Sequence, residues 1–272
     1  MPEGDTTYRA AKQLREALQG ATLTRAELRV PRYASTDLRG FTVTASRVIG
    51  KNLLLDLRRG DRELTLHSHL KMEGAWHVYS PGQRWRRPGF TARVVLGTSE
   101  HQAVGFDLGL VRLGTPEQTA ASLADLGPDP LAADFDADEA VRRLAADPER
   151  SIGEALLDQT VIAGLGNVYR CELCFLTGVH PAAPVGEVDL PPLVELAHTM
   201  INRNADQWGR NFSPSGGPRE FLWVHMRERR PCRRCGTAIR QARFGVETGM
   251  ERFIWWCPRC QPLADWAHSG TR

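Results

Sequence analysis

Two Cys-x2-Cys pairs near the C-terminus, Cys232/Cys235 and Cys257/Cys260, constrain what this chain can fold into more than any other feature. Each pair presents two thiolates from one tight turn, and two such turns supply the four sulfur ligands of a tetrahedral zinc. Four protein ligands leave no open coordination position. The expected metal is therefore one structural Zn2+ per chain, which does not activate water. The 21 residues between the pairs then form a β-hairpin, with Arg252-Phe253-Ile254-Trp255-Trp256 as its return strand. Such a loop has no core of its own, so the metal would fix where its arginines point. Six cysteines in a chain without secretory features favour thiols or metal ligation over disulfides. The remaining two, Cys171 and Cys174, lie one turn apart on a helical pattern. With no complementary pair left they read as buried thiols, a second metal site being the alternative.

The 272 residues can bury a sizeable core in one or two domains. No apolar run approaches the ~20 residues of a membrane span, and the N-terminus lacks the basic-then-apolar pattern of a signal peptide. A soluble, cytoplasmic protein with no membrane partner is expected. The net charge of +3 hides segregation. Between Arg203 and Cys260 twelve arginines face five acidic residues, whereas Thr115–Thr160 carries eleven acids against three arginines. The basic block is either a solvated face or a phosphate-facing surface.

Residues 5–19 read as an amphipathic helix, with Tyr8, Ala11, Leu14 and Leu18 on one stripe and Gly20 as its stop. Short β-rich runs follow at Thr22–Val30, Phe41–Ile49, Asn52–Leu57, Glu63–His67, Ala75–Tyr79, Phe90–Leu96 and Gln102–Phe106. Gly, Pro and charged turns separate them, the spacing of a sandwich or closed barrel. The acidic segment Gly114–Asp134 reads as a connector. Beyond it helices are expected over 138–146, 151–159, 167–177 and 191–207. Asn211–Pro218 is a loop with little in its sequence to make it rigid.

Two further stretches matter because of their company. Gly164-Leu165-Gly166-Asn167 sits between two helices, where glycines allow close backbone approach and a helix start offers N–H groups to an anion. Asn167 could serve there as a side-chain donor or N-cap. By itself this is an ordinary turn. The chain opens Met1-Pro2-Glu3-Gly4-Asp5, where a proline ordinarily does no more than permit methionine removal.

Taken together, Met-Pro-Glu-Gly at the start, Ala163–Tyr169 in a helix–two-turn–helix and the C-terminal cysteine pairs resemble the formamidopyrimidine-DNA glycosylase and endonuclease VIII family. Leu126-Gly127-Pro128-Asp129-Pro130 and Gly178-Val179-His180-Pro181 extend the resemblance over nearly the full length. The start is more similar to the endonuclease VIII branch. The resemblance implies an α+β multidomain fold: an N-terminal β-sandwich or barrel flanked by a helix (1–125), a helix–two-turn–helix domain (126–210) and a zinc finger (220–262). It implies a monomeric, nucleoid-associated enzyme whose partner is damaged DNA. Its activity would be that of a bifunctional glycosylase and abasic-site lyase that excises oxidised bases, most readily pyrimidines.

The residues suit that chemistry. Once Met1 is removed, Pro2 carries a secondary amine able to attack C1′ and form a Schiff base, opening β- and δ-elimination. Glu3 can move protons at the sugar ring oxygen and C2′. The resemblance makes Lys51, at the start of a strand, a catalytic lysine, and Asn167 with Arg252 a clamp on the phosphate beside the extruded nucleotide. His69 matches a phosphate contact. Met72, in Leu70-Lys71-Met72-Glu73-Gly74, matches a residue that fills the gap in the base stack, the alternative being a core methionine.

Three departures bear on specificity. Thr6 stands where many relatives have a second glutamate. Phe106-Asp107-Leu108-Gly109-Leu110 lacks the arginine that the formamidopyrimidine branch uses to read the opposite base, and the loop after Trp208 is short. The 21-residue spacing between the cysteine pairs exceeds the usual hairpin. Two other readings are the same chemistry on oxidised purines, and a non-catalytic zinc protein that senses DNA structure.

Overall fold

The protein is described by a computed structural model covering residues 2–245 and 252–263. It divides into two compact units, 1–125 and 126–272.

In the first unit, α1 (Gly4–Leu18) buries Thr7, Ala10, Ala11, Leu14 and Leu18 along one stripe, while Tyr8 is only half-buried. Gly20, at φ +82°, turns the chain out of the helix, a conformation glycine adopts without steric cost. Eight antiparallel strands follow in two sheets. One has the order β1 (Arg25–Leu28), β6 (Ala92–Gly97), β7 (Gln102–Phe106), β5 (Ala75–Tyr79), and the other β2 (Thr42–Ile49), β3 (Asn52–Arg59), β4 (Arg62–His69), β8 (Leu110–Gly114). Two separate four-stranded sheets make this a sandwich and not a closed barrel. Leu28, Val94, Leu96 and Ala103 from one sheet share a core with Leu53, Leu55, Leu57 and Leu66 from the other. Helix α1 joins that core through Leu14 and Leu18, and the Arg15 guanidinium donates to Ser46 O at 2.9 Å.

Strand β8 is absent from the sequence expectation. Its residues are half-buried on both faces with only Arg112 exposed, so no period-two alternation marks it. The expected connector also contains a helix, α2 (Pro116–Ser122). Thr115 and Gln118 form a reciprocal capping box, with Pro116 at the first position. That signal was legible and outweighs the acidic composition.

The second unit holds α3 (Ala137–Ala145), α4 (Ile152–Ala155), α5 (Asn167–Thr177) and α6 (Leu190–Ala205) around a core that includes Leu144, Ile162, Tyr169, Leu173, Leu193 and Ile201. Helix α4 is four residues long, shorter than the expected 151–159. Gly178, at φ +75°, ends α5. The hairpin β9 (Arg240–Phe244) and β10 (Arg252–Trp256) pairs antiparallel from Arg252↔Phe244 to Trp256↔Arg240. It packs on α5 through a small core of Cys171, Phe175, Val224, Ile239 and Trp255.

Two buried polar residues organise the segment between α6 and the hairpin. The Asn211 side chain donates to Gly217 O (3.1 Å) and Arg219 O (2.8 Å), and accepts from Ser213 N (2.8 Å). Its backbone N–H donates to Asn204 Oδ1 at 2.8 Å. The loop expected to lack rigidity is thus tied across its base. Glu172, fully buried on α5, accepts three backbone N–H groups: Trp223 at 2.7 Å on Oε2, and Val224 at 3.0 Å and His225 at 2.9 Å on Oε1. Burial outweighs those donors and lifts its carboxyl to about 7.

Candidate active site and metal centre

Pro2 is half-buried directly ahead of α1, and Glu3 is the helix N-cap and wholly buried. The Glu3 carbonyl accepts from Thr7 N at 3.0 Å and Thr7 Oγ1 at 3.1 Å, which fixes the backbone that presents Pro2. A second carboxylate, missed in the sequence, lies in the first turn. Asp5 is fully buried, and its Oδ1 accepts from Thr6 N (2.6 Å) and Thr6 Oγ1 (3.2 Å). Arg9 lies 3.7 Å from Asp5 and donates to Thr6 Oγ1 at 3.3 Å. Thr6 therefore joins an Asp5–Arg9 pair.

Lys51 is not the first residue of β3. With Gly50 it makes the two-residue turn between β2 and β3, closed by the Ile49↔Asn52 pair. Gly50 takes φ +59°, as the first central residue of a tight hairpin turn requires. Such a turn leaves Lys51 little backbone freedom. Across the sheet, Asn52 pairs with His69. The His69 Nδ1 accepts from Lys71 N at 2.9 Å. Burial, then the charges of Lys71 and Lys51, hold its imidazole down at about 4, so it is neutral at pH 7. His67 shares its strand face but contacts Asn52 Oδ1 at 2.9 Å, and burial also depresses it to about 4. No metal cluster includes either histidine among the described residues.

The Leu70–Gly74 turn presents Met72, which is 55% exposed and is not a core residue. Lys71 takes φ +54°, and the turn closes through Gly74 N to Leu70 O at 2.9 Å.

In the second unit Gly166, not Asn167, is the N-cap of α5. Asn167 is nearly buried, and its Nδ2 donates to Phe253 O at 2.9 Å, joining the glycine turn to the neighbour of Arg252. Arg170, also missed, is fully buried behind it. It donates to Asn167 Oδ1 and to Phe253 O at 3.3 Å, and its guanidinium lies 5.8 Å from the Phe244 ring centroid. Arg252 begins β10 and is exposed. A polar residue was to be expected at the turn, but a buried arginine one helical turn on carries no periodic signal.

The sulfurs of Cys232, Cys235, Cys257 and Cys260 all lie within 4.8 Å of one another. Cys232···Cys260 is 4.0 Å and Cys235···Cys257 is 3.5 Å, close to the ~3.8 Å between sulfurs around a tetrahedral zinc with Zn–S of ~2.3 Å. The Thr237 side chain holds the Cys235 thiol down to about 6, whereas burial and the neighbouring thiols lift Cys260 to about 12. Four sulfurs converging at this spacing suit a tetrahedral dication, which would hold all four as thiolates. Cys171 and Cys174 are not among the converging sulfurs and are fully buried thiols, with burial raising both and Cys171 reaching about 11.

Two family models match the chain: the formamidopyrimidine-DNA glycosylase N-terminal domain over residues 1–108 and the formamidopyrimidine-DNA glycosylase H2TH domain over 126–203. A probable endonuclease 8 2 of Streptomyces coelicolor is 46% identical over 265 residues, 96% of this chain and 94% of that protein. The chain belongs to the formamidopyrimidine-DNA glycosylase and endonuclease VIII family. The DNA-(apurinic or apyrimidinic site) lyase Nei2 of Mycolicibacterium smegmatis is 44% identical over 96% of this chain and 99% of its own. Among solved structures, Lactococcus lactis Fpg in complex with DNA containing an abasic site matches with a TM-score of 0.79 at 22% identity. The match covers 96% of this chain and 100% of that one, and the likeness establishes the shared fold. Among the described residues no helix is long and apolar enough to cross a membrane.

Proposed function

We propose that this protein is a bifunctional DNA glycosylase and abasic-site lyase of the endonuclease VIII type, acting on oxidised pyrimidines in DNA. The observation that carries the reading is the Pro2-Glu3 start, set on the N-terminus of α1 with Glu3 buried, in a chain akin over nearly its full length to endonuclease 8 and lyase proteins.

With Met1 removed, the Pro2 nitrogen attacks C1′ of the damaged nucleotide. The N–C1′ bond forms as the glycosidic bond breaks, and the base leaves with a proton. Glu3 gives a proton to the ring oxygen as the C1′–O4′ bond breaks, and the nitrogen lone pair completes an iminium that makes the C2′ proton acidic. Loss of that proton expels the 3′ phosphate, and a second elimination expels the 5′ phosphate. Lys51 and His69 are assigned to phosphates at the lesion, and Met72 to the gap left by the extruded base. Asn167 and Arg252 are assigned to the phosphate beside it, a reading supported by the bond that joins Asn167 to Phe253. The four cysteines would hold a structural zinc that fixes the hairpin carrying Arg252.

We assign the sandwich (1–125), the helix–two-turn–helix region (126–210) and the finger (220–262) as three functional parts of a monomer working on chromosomal DNA in the cytoplasm. The absence of an arginine after Asp107 favours pyrimidine lesions over a cytosine-paired purine lesion.

Borohydride trapping tests the reading. Protein with a mass-verified Pro2 terminus is incubated with oligonucleotides bearing dihydrouracil, thymine glycol, 8-oxoguanine or an abasic site. Covalent adducts at the pyrimidine lesions, lost in Pro2→Gly, are expected. Adducts only at 8-oxoguanine would move the substrate to purines. DNA binding with no adduct on any substrate would leave a non-catalytic binder.

A further inference from the structure

The turn that presents Met72 does not stand alone. It is docked on the turn between β7 and β8, and a third segment cross-links the two. Gly109 N donates to His69 O at 3.0 Å, and Gly109 has no room for a side chain, since a Cβ there would lie 2.2 Å from Lys71 Cγ. Asp107, like Lys71, takes a left-handed backbone conformation, φ +49°, which costs a non-glycine residue roughly 1 kcal/mol or more unless its surroundings hold it. Two facing turns in this state need an external restraint.

Arg87 supplies it. One nitrogen, Nη1, donates to Glu73 O at 2.7 Å and to Asp107 Oδ2 at 3.1 Å. Arg87 comes from the segment between β5 and β6, which is itself fastened down. Trp85 Nε1 donates to Gln102 Oε1 at 2.6 Å, Arg86 N donates to Tyr79 Oη at 3.1 Å, and Trp85 packs edge-on to Phe106 with centroids 5.7 Å apart. Arg29 reinforces it, its guanidinium 5.5 Å from the Trp85 ring centroid and its Nη1 donating to Gly89 O at 3.1 Å. The restraint on the Met72 turn therefore reaches back to a buried aromatic cluster on the sheet.

We propose that Arg87 is a positioning residue for base extrusion. By bonding the Glu73 carbonyl and the Asp107 carboxylate together it holds the 70–74 turn in the one conformation that projects Met72. The inference rests on Met72 filling the stack, as assigned above. A rigid wedge loses less conformational freedom on entering the duplex than a mobile one, and the benefit appears only where there is a stack to fill.

The test compares two single-turnover rates: excision of dihydrouracil from a duplex, and cleavage at an abasic site in a single strand, which has no stacked partner to replace. Arg87→Ala is expected to lower the ratio of the first rate to the second about tenfold, the scale of one charge-assisted hydrogen bond. Arg87→Lys, which keeps a cationic donor, is expected to recover part of it. In a Met72→Ala background, Arg87→Ala is expected to add less than about twofold, because both changes remove the same device. An unchanged ratio in Arg87→Ala, or full multiplication of the two effects, overturns the assignment. If Met72→Ala alone leaves duplex excision intact, the wedge reading itself fails. If Met72→Ala is impaired and Arg87→Ala is not, only the role of Arg87 falls.

Discussion

Removing the Glu172 carboxylate should loosen the zinc-bearing part of the protein out of proportion to the size of the change. Glu172→Ala strips the acceptor from three backbone N–H groups in consecutive residues, Trp223 to His225. Each buried donor left without a partner costs about 1–3 kcal/mol. Water entering the vacated volume recovers part, so a net loss of about 3–5 kcal/mol is expected. Glu172→Gln separates the two oxygens. A single amide oxygen can keep the Val224 and His225 bonds, but the NH2 then faces the Trp223 N–H, and about 1–3 kcal/mol is lost. Urea unfolding of the zinc-loaded protein, followed by tryptophan fluorescence, reads these values. Four of the six tryptophans among the described residues lie beyond residue 126, so the signal reports mainly this unit. The pH dependence adds a control. Burial lifts the folded carboxyl to about 7, above its unfolded value, so its contribution grows as pH falls from about 7 towards 4.5. The gap between wild type and Glu172→Gln should widen over that window. A loss below about 1 kcal/mol in Glu172→Ala would refute the claim that this carboxylate fastens the 223–225 segment to α5.

Asn211→Ala should free the 211–219 loop by removing the bonds to Gly217, Arg219 and Ser213, read as faster amide exchange or proteolysis there; unchanged protection counts against the tie. Cys257→Ser should lower bound zinc and reduce stability, whereas Cys171→Ser should leave metal content unchanged, and equal zinc loss in both would mean the clusters are misassigned. In native protein Cys171 and Cys174 should resist alkylation, since both are buried and their thiols are raised; rapid modification speaks against that burial. His67, His180 and His225 are held at about 4, chiefly by burial. Their contribution is intact above the unfolded value near 6.5 and is lost as pH falls towards 4, so stability should drop between pH 6.5 and 5 despite the opposing sign of Glu172. A rise over that interval contradicts the sign.

Much of the fold was legible because its signals are local. The stripe of α1, the return strand of the hairpin and the start of α5 each rest on spacing or on one glycine. Strand β8 was not, because its half-buried residues do not alternate and only pairing with β4 identifies it. The helix α2 is readable from Thr115-Pro116-x-Gln118, a capping signal set in a segment whose acidic composition is that of a connector. At the site, the cysteines and the Pro2-Glu3 start stand out by type. Asp5 was readable as the i,i+4 partner of Arg9, whereas Arg87 and Arg170 do not stand out, because each acts through a partner distant in sequence and such a relation leaves no periodic trace.

The hairpin turn at Gly50-Lys51 has a practical consequence that follows from how few amines the chain carries. Lysine occurs only at positions 12, 51 and 71. Lys51 is confined to a two-residue turn, and Lys71 is held in a left-handed conformation on the turn beside His69. Reductive methylation with isotope-labelled formaldehyde would therefore place at most three side-chain reporters on the protein, two of them at the end of one sheet, with the N-terminal amine as the one further site. A resonance spectrum that simple can follow the sandwich through DNA binding without altering a codon.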